Sequence, residues 1–308
     1  MFDVICVGDV ALDDYYSLAH LPGPDEKVHV QFTGRAIGGT TCNTARALKS
    51  LGADVLFLTK IGEDENGQYI QGAFSRLGLS ARYLKTSRTP IAQILVAKGG
   101  EKAILLHGFD DAHRWDAVEL AEFMAPAPAK AVFSTLSLPM REALTQFGAE
   151  LVISLEPAIL EWDAWAFGWA TSYAHTIILD RHAFRMLFNQ EATEESLSGA
   201  FDGLKNQPQR LIVTLGSKGS LAVSRQPRAV YACAAFAVPV VDTTGAGDIF
   251  NAAYLAATFV KKAPLREALR YANAVAAASC TASGTDLTAS ILEKAEMLVQ
   301  SNPAADLL

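Results

Sequence analysis

The sequence predicts a doubly wound α/β fold with a mostly parallel central sheet, and three observations support it. Short apolar runs bounded by Gly, Asp or Pro recur along the chain, helix-like segments lie between several of them, and the chain from Asp248 onward has a mostly helical pattern. Uninterrupted apolar runs are typical of strands buried on both faces, and their alternation with helices indicates βαβ units. The predicted strands are "VICVG" (4–8), "VLFLTKIG" (55–62), "AVFSTL" (131–136), "LVISLEP" (151–157), "TIILD" (176–180) and "LIVTLG" (211–216).

A helix is predicted between the first two strands, in "TCNTARALKSLG". Its apolar residues Ala45, Leu48 and Leu51 share one face, and Gly52 is placed to end the helix in a left-handed conformation. This segment therefore supplies the crossover of the first βαβ unit.

Two shorter and more polar regions predict a small β-sheet attached to the main domain as a lid. One of them contains two apolar runs joined by Gly99 and Gly100, which indicates a hairpin. The predicted division is an α/β domain of residues 1–12, 38–88 and 108–308 and a β lid of residues 13–37 and 89–107.

Composition excludes several classes of protein. The 308 residues carry a net charge of −7 and are 50% hydrophobic, and no run of Lys and Arg exceeds two residues, so we expect no nucleic-acid partner. No apolar run approaches the roughly 18 residues of a membrane span, and the N-terminus lacks a signal pattern, so we expect a cytoplasmic protein without a membrane partner. The four cysteines are scattered among apolar or small residues and are expected to be reduced core residues.

The stretch "VVDTTGAGDIFNAAY" (240–254) carries the chemistry. A strand, "FAVPVV" (236–241), is expected to lead into it, and Gly245, Ala246 and Gly247 then turn the chain at the N-terminus of a helix. Outward-facing N–H groups there would stabilise a transferring phosphoryl group. A carboxylate at Asp248 repels such an anion, but it suits a general base that takes a proton from an attacking hydroxyl. Taken alone, the motif favours an acid that only complements the helix dipole, because short glycine motifs often occur without this chemistry.

The pattern D-T-x-G-A-G-D before an apolar helix closely resembles the second signature of the ribokinase-like (PfkB) family of sugar and nucleoside kinases. Further resemblances follow in the family's order and cover essentially the whole chain. They are carried by "CVGDVALDD" (6–14), "IGGTTCNTARAL" (37–48), "KIGEDENGQYI" (60–70), "VTLGSKGS" (213–220) and "YANAVAAASCTASGT" (271–285).

The resemblance implies ATP-dependent phosphorylation of a hydroxyl on a sugar or sugar-like substrate, with Mg²⁺ offsetting the phosphate charge and Asp248 as the base. It also implies a homodimer built through the lid. The residues that match substrate-binding positions are Asp13, Gly38, Gly39 and Asn43, and those that match nucleotide-binding positions are Thr214, Gly216, Ser217, Gly219 and Asn273. Asp242 and Thr244 match positions that bind a monovalent cation such as K⁺ in some relatives, and they fit a structural turn equally well.

These assignments have structural alternatives, namely a surface turn at Asp13, a chain turn at Gly38 and Gly39, a helix cap at Asn43 and a core hydrogen bond at Asn273. The chain also departs from the family. Where many members carry N-x-x-E, it has Asp180 and Ala183, which puts the usual handling of Mg²⁺ in doubt, and its "GGTTCN" differs from the G-G-K-G-A-N of ribokinases.

Two other substrates and one other function stay open. An aromatic platform in the lid would favour a nucleoside. A basic residue such as Arg35 pointing into the cleft would favour a sugar acid of the 2-keto-3-deoxygluconate type. A non-catalytic relative that keeps the fold as a binding module is the third.

Overall fold

The structure is a computed structural model that describes residues 1–109, 115–124, 127–135, 149–204 and 208–301. The strands, in chain order, are β1 Phe2–Val7, β2 Ala11–Leu18, β3 Gln31–Gly38, β4 Val55–Gly62, β5 Ser80–Thr86, β6 Ile91–Ala97, β7 Lys102–His107, β8 Ala129–Ser134, β9 Glu150–Leu155, β10 Thr176–Asp180, β11 Arg210–Thr214, β12 Ser220–Arg225 and β13 Arg228–Cys233. The helices are α1 Thr40–Ser50, α2 Glu65–Leu77, α3 Ala117–Met124, α4 Pro157–Trp162, α5 Ala166–Tyr173, α6 Arg181–Phe188, α7 Glu194–Gly203, α8 Ala246–Leu255, α9 Leu265–Ser279 and α10 Ala289–Ser301.

The central sheet has nine strands in the order β13-β12-β11-β10-β9-β8-β1-β4-β5. All neighbours from β11 to β5 are parallel, and β12 and β13 add an antiparallel ribbon at one edge. Because the chain leaves β1 for β4 on one side and later returns to β8 on the other, the strand order reverses beside β1. Ligands of open α/β sheets bind at the carboxyl ends of the strands near such a point.

Both faces of this sheet are buried, as the uninterrupted apolar runs predict. In β1, Val4 and Cys6 belong to one hydrophobic cluster, whereas Ile5 and Val7 belong to the cluster on the opposite face. Alternate side chains of a strand point to opposite faces, so helices must cover the sheet on each side. The predicted doubly wound α/β class is confirmed.

A separate four-stranded sheet has the order β3-β2-β6-β7. Its β6–β7 hairpin is antiparallel and turns at Gly100, which adopts a φ of 88°. Ala11 pairs with Gly38, so this sheet reaches slightly beyond residues 13–37. We call it the lid sheet below.

The first crossover helix and the cysteines also match their predictions. Helix α1 ends just before Gly52, whose φ is 83°. All four cysteines are buried and reduced. Among the described helices, none has the length and apolar character needed to cross a membrane.

The predicted strand over residues 236–241 is wrong. This segment has no regular structure, Pro239 offers no N–H to a ladder, and the exposed Val240 and Val241 face no neighbouring strand. The N–H groups of Val241 and Asp242 instead donate to the carbonyl of Cys280. Strands β5, β12 and β13 were not predicted, and Leu136, the end of another predicted strand, lies outside the described residues.

Candidate functional site

A cavity of about 790 Å³ lies between the carboxyl edge of the central sheet and the lid sheet. Its floor and walls carry carboxylates, and its roof is apolar. The carboxylates are those of Asp9, Asp13, Glu156, Asp180 and Asp248, and the roof residues include Ala92, Ile94, Ile104 and Leu106. We call this the acidic cavity.

Strand β2 divides its side chains between the two faces of the lid sheet. Asp13 and Tyr15 line the acidic cavity, whereas Asp14 lies on the other face and pairs across the sheet with Arg35. The Arg35 guanidinium donates to both carboxylate oxygens of Asp14, at 2.6 and 2.8 Å. Arg35 is therefore held away from the cavity and gives no support for a sugar acid.

Asp13 explains a glycine that precedes helix α1. A Cβ at Gly38 would overlap the Asp13 carboxylate, so glycine leaves the room that this carboxylate occupies. Burial, with repulsion from Asp9 and Asp14, raises the pKa of Asp13 to about 6. The carboxylate thus lies in a confined, acceptor-rich position, where a donor from a ligand would stabilise its charged form.

The glycine turn, residues 245–247, begins helix α8. Gly245 has a φ of 71° and is the N-cap, and a Cβ there would overlap the Thr285 side chain. A Cβ at Gly247 would meet nothing within 4 Å, so this position faces open cavity. The predicted strained turn at a helix N-terminus is present, and it suits close approach of an anion.

Asp248 is buried in the first turn of α8 and lines the acidic cavity. Its Oδ2 accepts a hydrogen bond of 2.8 Å from the side-chain amide of Asn43, whose Oδ1 accepts one of 3.3 Å from the Thr285 hydroxyl. Burial and repulsion from Glu156 raise the pKa of Asp248 well above its ordinary value, and the Asn43 bond offsets part of this. Asn43 therefore positions Asp248 as well as lining the cavity.

A second cavity, of about 550 Å³, adjoins the first, and none of the described residues that line it is charged. We call it the uncharged cavity. The predicted nucleotide residues Thr214, Gly216, Ser217, Gly219 and Asn273 all line it, and Thr214, Gly216 and Gly247 also line the acidic cavity. The two cavities thus meet at the glycine turn.

Asn273 and Gly219 stabilise the wall of the uncharged cavity. The Asn273 amide donates to the carbonyl of Cys233 at 3.0 Å, which fixes the chain as it leaves β13. Gly219 has a φ of 99°, and a Cβ there would overlap the same carbonyl. Asn273 therefore makes the core hydrogen bond that was its structural alternative, and it also lines the cavity.

Asp242 closes the turn before the glycines. Its two carboxylate oxygens accept from the N–H groups of Thr244, at 2.9 Å, and Gly284, at 3.1 Å. Burial would raise the pKa of Asp242, but these hydrogen bonds outweigh it and lower the pKa. Asp242 has the contacts expected of a structural turn.

Sequence reasoning missed Asp9 and Glu156. Each lies at the carboxyl end of a buried parallel strand, Asp9 two residues after β1 and Glu156 directly after β9. Burial and repulsion from Asp9 and Asp180 raise the pKa of Glu156 to about 7. Polar residues directly after apolar runs were the available sign, because the carboxyl ends of parallel strands meet at one edge.

Position 183, where many family members carry a glutamate, does not reach the site in this chain. Ala183 is fully buried in the core and does not line either cavity. Its N–H donates to the Asp180 carboxylate at 2.6 Å, so Asp180 caps helix α6. A glutamate at position 183 would place a carboxylate in the apolar core.

Comparisons with known proteins agree with this architecture. Residues 1–292 match the family described as pfkB family carbohydrate kinase. Among curated relatives, a ribokinase of Haemophilus influenzae is 29% identical, with 90% of this chain and 92% of that protein covered. An acarbose 7(IV)-phosphotransferase of Actinoplanes is 27% identical over 98% of each chain, and a nucleoside kinase of Methanocaldococcus jannaschii is 24% identical over 83% of each.

Solved structures show the same fold. The ribokinase of Giardia lamblia has a TM-score of 0.81 at 18% identity, with 96% of this chain and 99% of that chain covered. A ribokinase of Arabidopsis thaliana, solved with ribose and ATP, has a TM-score of 0.80 at 22% identity, with 96% and 99% covered.

Proposed function

We propose that this chain, which belongs to the pfkB family of carbohydrate kinases, transfers the γ-phosphoryl group of ATP to a hydroxyl of a neutral sugar or sugar-like substrate. The observation that carries the proposal is the place of Asp248, a buried carboxylate directly behind the glycine turn where the two cavities meet. A hydroxyl held in the acidic cavity and a triphosphate extending from the uncharged cavity would converge there.

Asp248 has one oxygen available for the proton. Asn43 donates to Oδ2, and within the described residues no donor bonds Oδ1. In the proposed step, the substrate hydroxyl gives its proton to Asp248 as its oxygen bonds to the γ-phosphorus. The bond from that phosphorus to the β–γ bridging oxygen breaks, and ADP leaves with the electron pair. The glycine turn offers a helix N-terminus to the charge on the transferring group.

The donor chemistry of the acidic cavity fits Mg²⁺ carried by the nucleotide. Within the described residues, no three His, Cys, Asp or Glu side chains are grouped to hold a metal by themselves. Mg²⁺ commonly takes one or two carboxylates together with waters and substrate phosphates, and Glu156 and Asp180 supply carboxylates here. When bound with ATP, Mg²⁺ would offset the charge of the phosphates.

The lid sheet supports a substrate with both hydroxyls and an apolar face. Asp13 can only accept hydrogen bonds when ionised, which suits hydroxyl donors. Tyr15 and Ile94 lie across from each other in the lid sheet and line the same cavity. A sugar ring fits such a pair of surfaces. Since Tyr15 is an aromatic residue of the lid, a nucleoside is the second candidate, and the nucleoside kinase relative accords with it.

A panel of neutral sugars, sugar acids and nucleosides tests the proposal. We expect ADP release with ATP and Mg²⁺ to depend on a neutral polyol or a nucleoside, and ³¹P NMR of the product to show a phosphate monoester. Turnover only with sugar acids, or binding of substrates and ATP analogues without any ADP release, would contradict it.

For Asp242 and Thr244, the hydrogen bonds favour a turn, and a K⁺ site is the alternative. Replacing K⁺ by Na⁺ in the assay separates them, because only a cation site makes turnover depend on which ion is present.

We also propose a homodimer, because the face of the lid sheet that points away from the acidic cavity carries exposed apolar side chains. Phe32, 53% exposed, packs edge-on against Tyr16, and Leu105 is 48% exposed. Sedimentation velocity on the protein and on Phe32→Asp would test it, since a dimer formed through this face should dissociate in the variant.

A further inference from the structure

Among the described residues, more carboxylates than cations line the acidic cavity where it meets the glycine turn. Asp180, Glu156 and Asp248 line it, and its described lining includes one arginine, Arg181, and no lysine. The uncharged cavity adds none. A triphosphate brought to this place increases the negative charge, so a counter-ion must accompany it, and some protein group must face that ion.

Helix α6 does not supply that group at position 183. Ala183 is fully buried in the core, and the same helix end presents Asp180, whose Oδ1 is engaged as the helix cap. The helix position that carries a glutamate in many relatives is therefore both uncharged and turned away from the cavity.

The neighbouring strand does present a glutamate. In the parallel pair of β9 and β10, Leu155 lies opposite Leu179, so Glu156 and Asp180 are level at the ends of the two strands. Glu156 lies close enough to Asp180 and Asp248 to repel both carboxylates. Among the described residues, no donor bonds the Glu156 side chain, although the residue is partly buried.

An unpaired carboxylate in this position is costly unless a ligand compensates it. As a structural residue, Glu156 would need a donor for its carboxylate, but its backbone carbonyl rather than its side chain accepts the hydrogen bonds that start helix α4. As a cavity residue, its natural partner is a hard cation or the water bound to one.

We propose that Glu156 faces the Mg²⁺ that arrives with ATP and binds its water ligands, in place of the glutamate that this chain lacks at position 183. The inference rests on the proposed function, because it assumes that a metal–nucleotide complex binds where the two cavities meet. It assigns to the end of β9 a task that the family resemblance places on helix α6.

Metal binding tests this without any need for turnover. Mn²⁺ is titrated by electron paramagnetic resonance into the protein saturated with a non-hydrolysable ATP analogue. We expect Glu156→Gln to weaken Mn²⁺ binding to the protein–nucleotide complex by about 10–100-fold, the range for loss of a residue that supports metal ligands. Binding of the analogue without metal should change little.

Glu161→Gln is the matched control, since Glu161 is an exposed carboxylate near the end of helix α4, the helix that Glu156 begins, and it is absent from the described cavity lining. Glu156→Asp, which keeps the charge, should retain part of the affinity. Thermal unfolding of each variant establishes that it folds.

Unchanged Mn²⁺ affinity in folded Glu156→Gln would overturn the inference and leave the kinase proposal intact. A shifted pH profile of kcat with unchanged Mn²⁺ affinity would also overturn it, since Glu156 would then act on Asp248. If the unaltered protein binds no Mn²⁺–nucleotide complex, the proposed function itself fails.

Discussion

The acidic cavity and the uncharged cavity share the glycine turn but have opposite linings. In the part of the chain that the structure describes, five carboxylates line the first and no charged residue lines the second. The lid sheet forms the roof of the first cavity. The second cavity is bounded by the glycine turn, helix α9 and the segment after β13. One side is suited to polar groups that must be oriented and deprotonated, and the other to a flat apolar base held by surface contact.

The described carboxylates are concentrated around Asp248, where the proposed chemistry occurs. They are absent from the described lining of the cavity where a nucleotide base would bind. Buried carboxylates destabilise a folded protein, so a cluster of them indicates a requirement other than stability. If the two cavities have these separate tasks, substitutions in each should affect different kinetic constants.

The largest effect is expected where the cavities meet. Asp248→Asn keeps an oxygen that can accept from Asn43 but cannot take the substrate proton. We expect kcat to fall by about 10²–10⁴-fold, the usual value of general-base catalysis. Binding of an ATP analogue, measured by calorimetry, should be nearly unchanged.

Asp54→Asn is the control for this variant, because Asp54 is exposed at the opposite edge of the sheet, just before β4. Near-normal turnover by folded Asp248→Asn would remove this residue from the mechanism.

The next effect concerns the acidic cavity alone. Asp13→Ala removes an acceptor for substrate hydroxyls, and a charge-assisted hydrogen bond contributes about 1.5–3 kcal/mol. We expect KM for the sugar to rise roughly 10-fold or more, with little change in KM for ATP. Equal losses for both substrates would indicate a folding role for Asp13.

The reciprocal change belongs to the uncharged cavity. Ala277 lies on helix α9 in its wall and is partly exposed to it. Ala277→Phe would occupy space needed by the nucleotide, and overpacking costs about 1–3 kcal/mol. We therefore expect KM for ATP to rise by about 10-fold and KM for the sugar to stay constant. Asp13→Ala and Ala277→Phe control each other, and a rise in sugar KM in the second variant would show that the cavities are not separate.

The smallest effect is on stability and depends on pH. The pKa of Asp13 is raised to about 6 from an ordinary value of 3.8, so between these values the folded protein holds a proton that the unfolded chain has lost. The Asp13 contribution to the free energy of unfolding therefore falls as pH rises from about 4 to 6 and is constant above that. Asp13→Asn should stabilise the ligand-free protein by about 1 kcal/mol at pH 8, after allowance for partial exposure.

Thermal melts at pH 8 and pH 4 measure this. Most of the stabilisation should be lost at pH 4, where Asp13 is protonated in the folded protein and partly protonated in the unfolded chain, and Asp54→Asn should show no comparable pH dependence. A variant less stable than the parent at pH 8 would mean that Asp13 has a favourable partner.

Local pattern was sufficient for much of this protein. The buried strands over 55–62 and 176–180 match their predicted bounds because apolar runs report burial on both faces of a strand. The hairpin at Gly99 and Gly100 and the turn at Gly245 were predictable because their conformations favour glycine.

Three-dimensional neighbours decided the rest. In the sequence, Glu156 is only a polar residue at the end of an apolar run. The order of β8, β9 and β10 in the sheet brings it close to Asp180 and Asp248. Arg35 reads as a free cation, but the register of β2 with β3 places it opposite Asp14 and away from the cavity. Sequence pattern determined which segments form strands, helices and turns because those depend on neighbours along the chain. Which carboxylates share a cavity, and which charge is neutralised, depends on strand order and register, and these are fixed only when distant segments pack together.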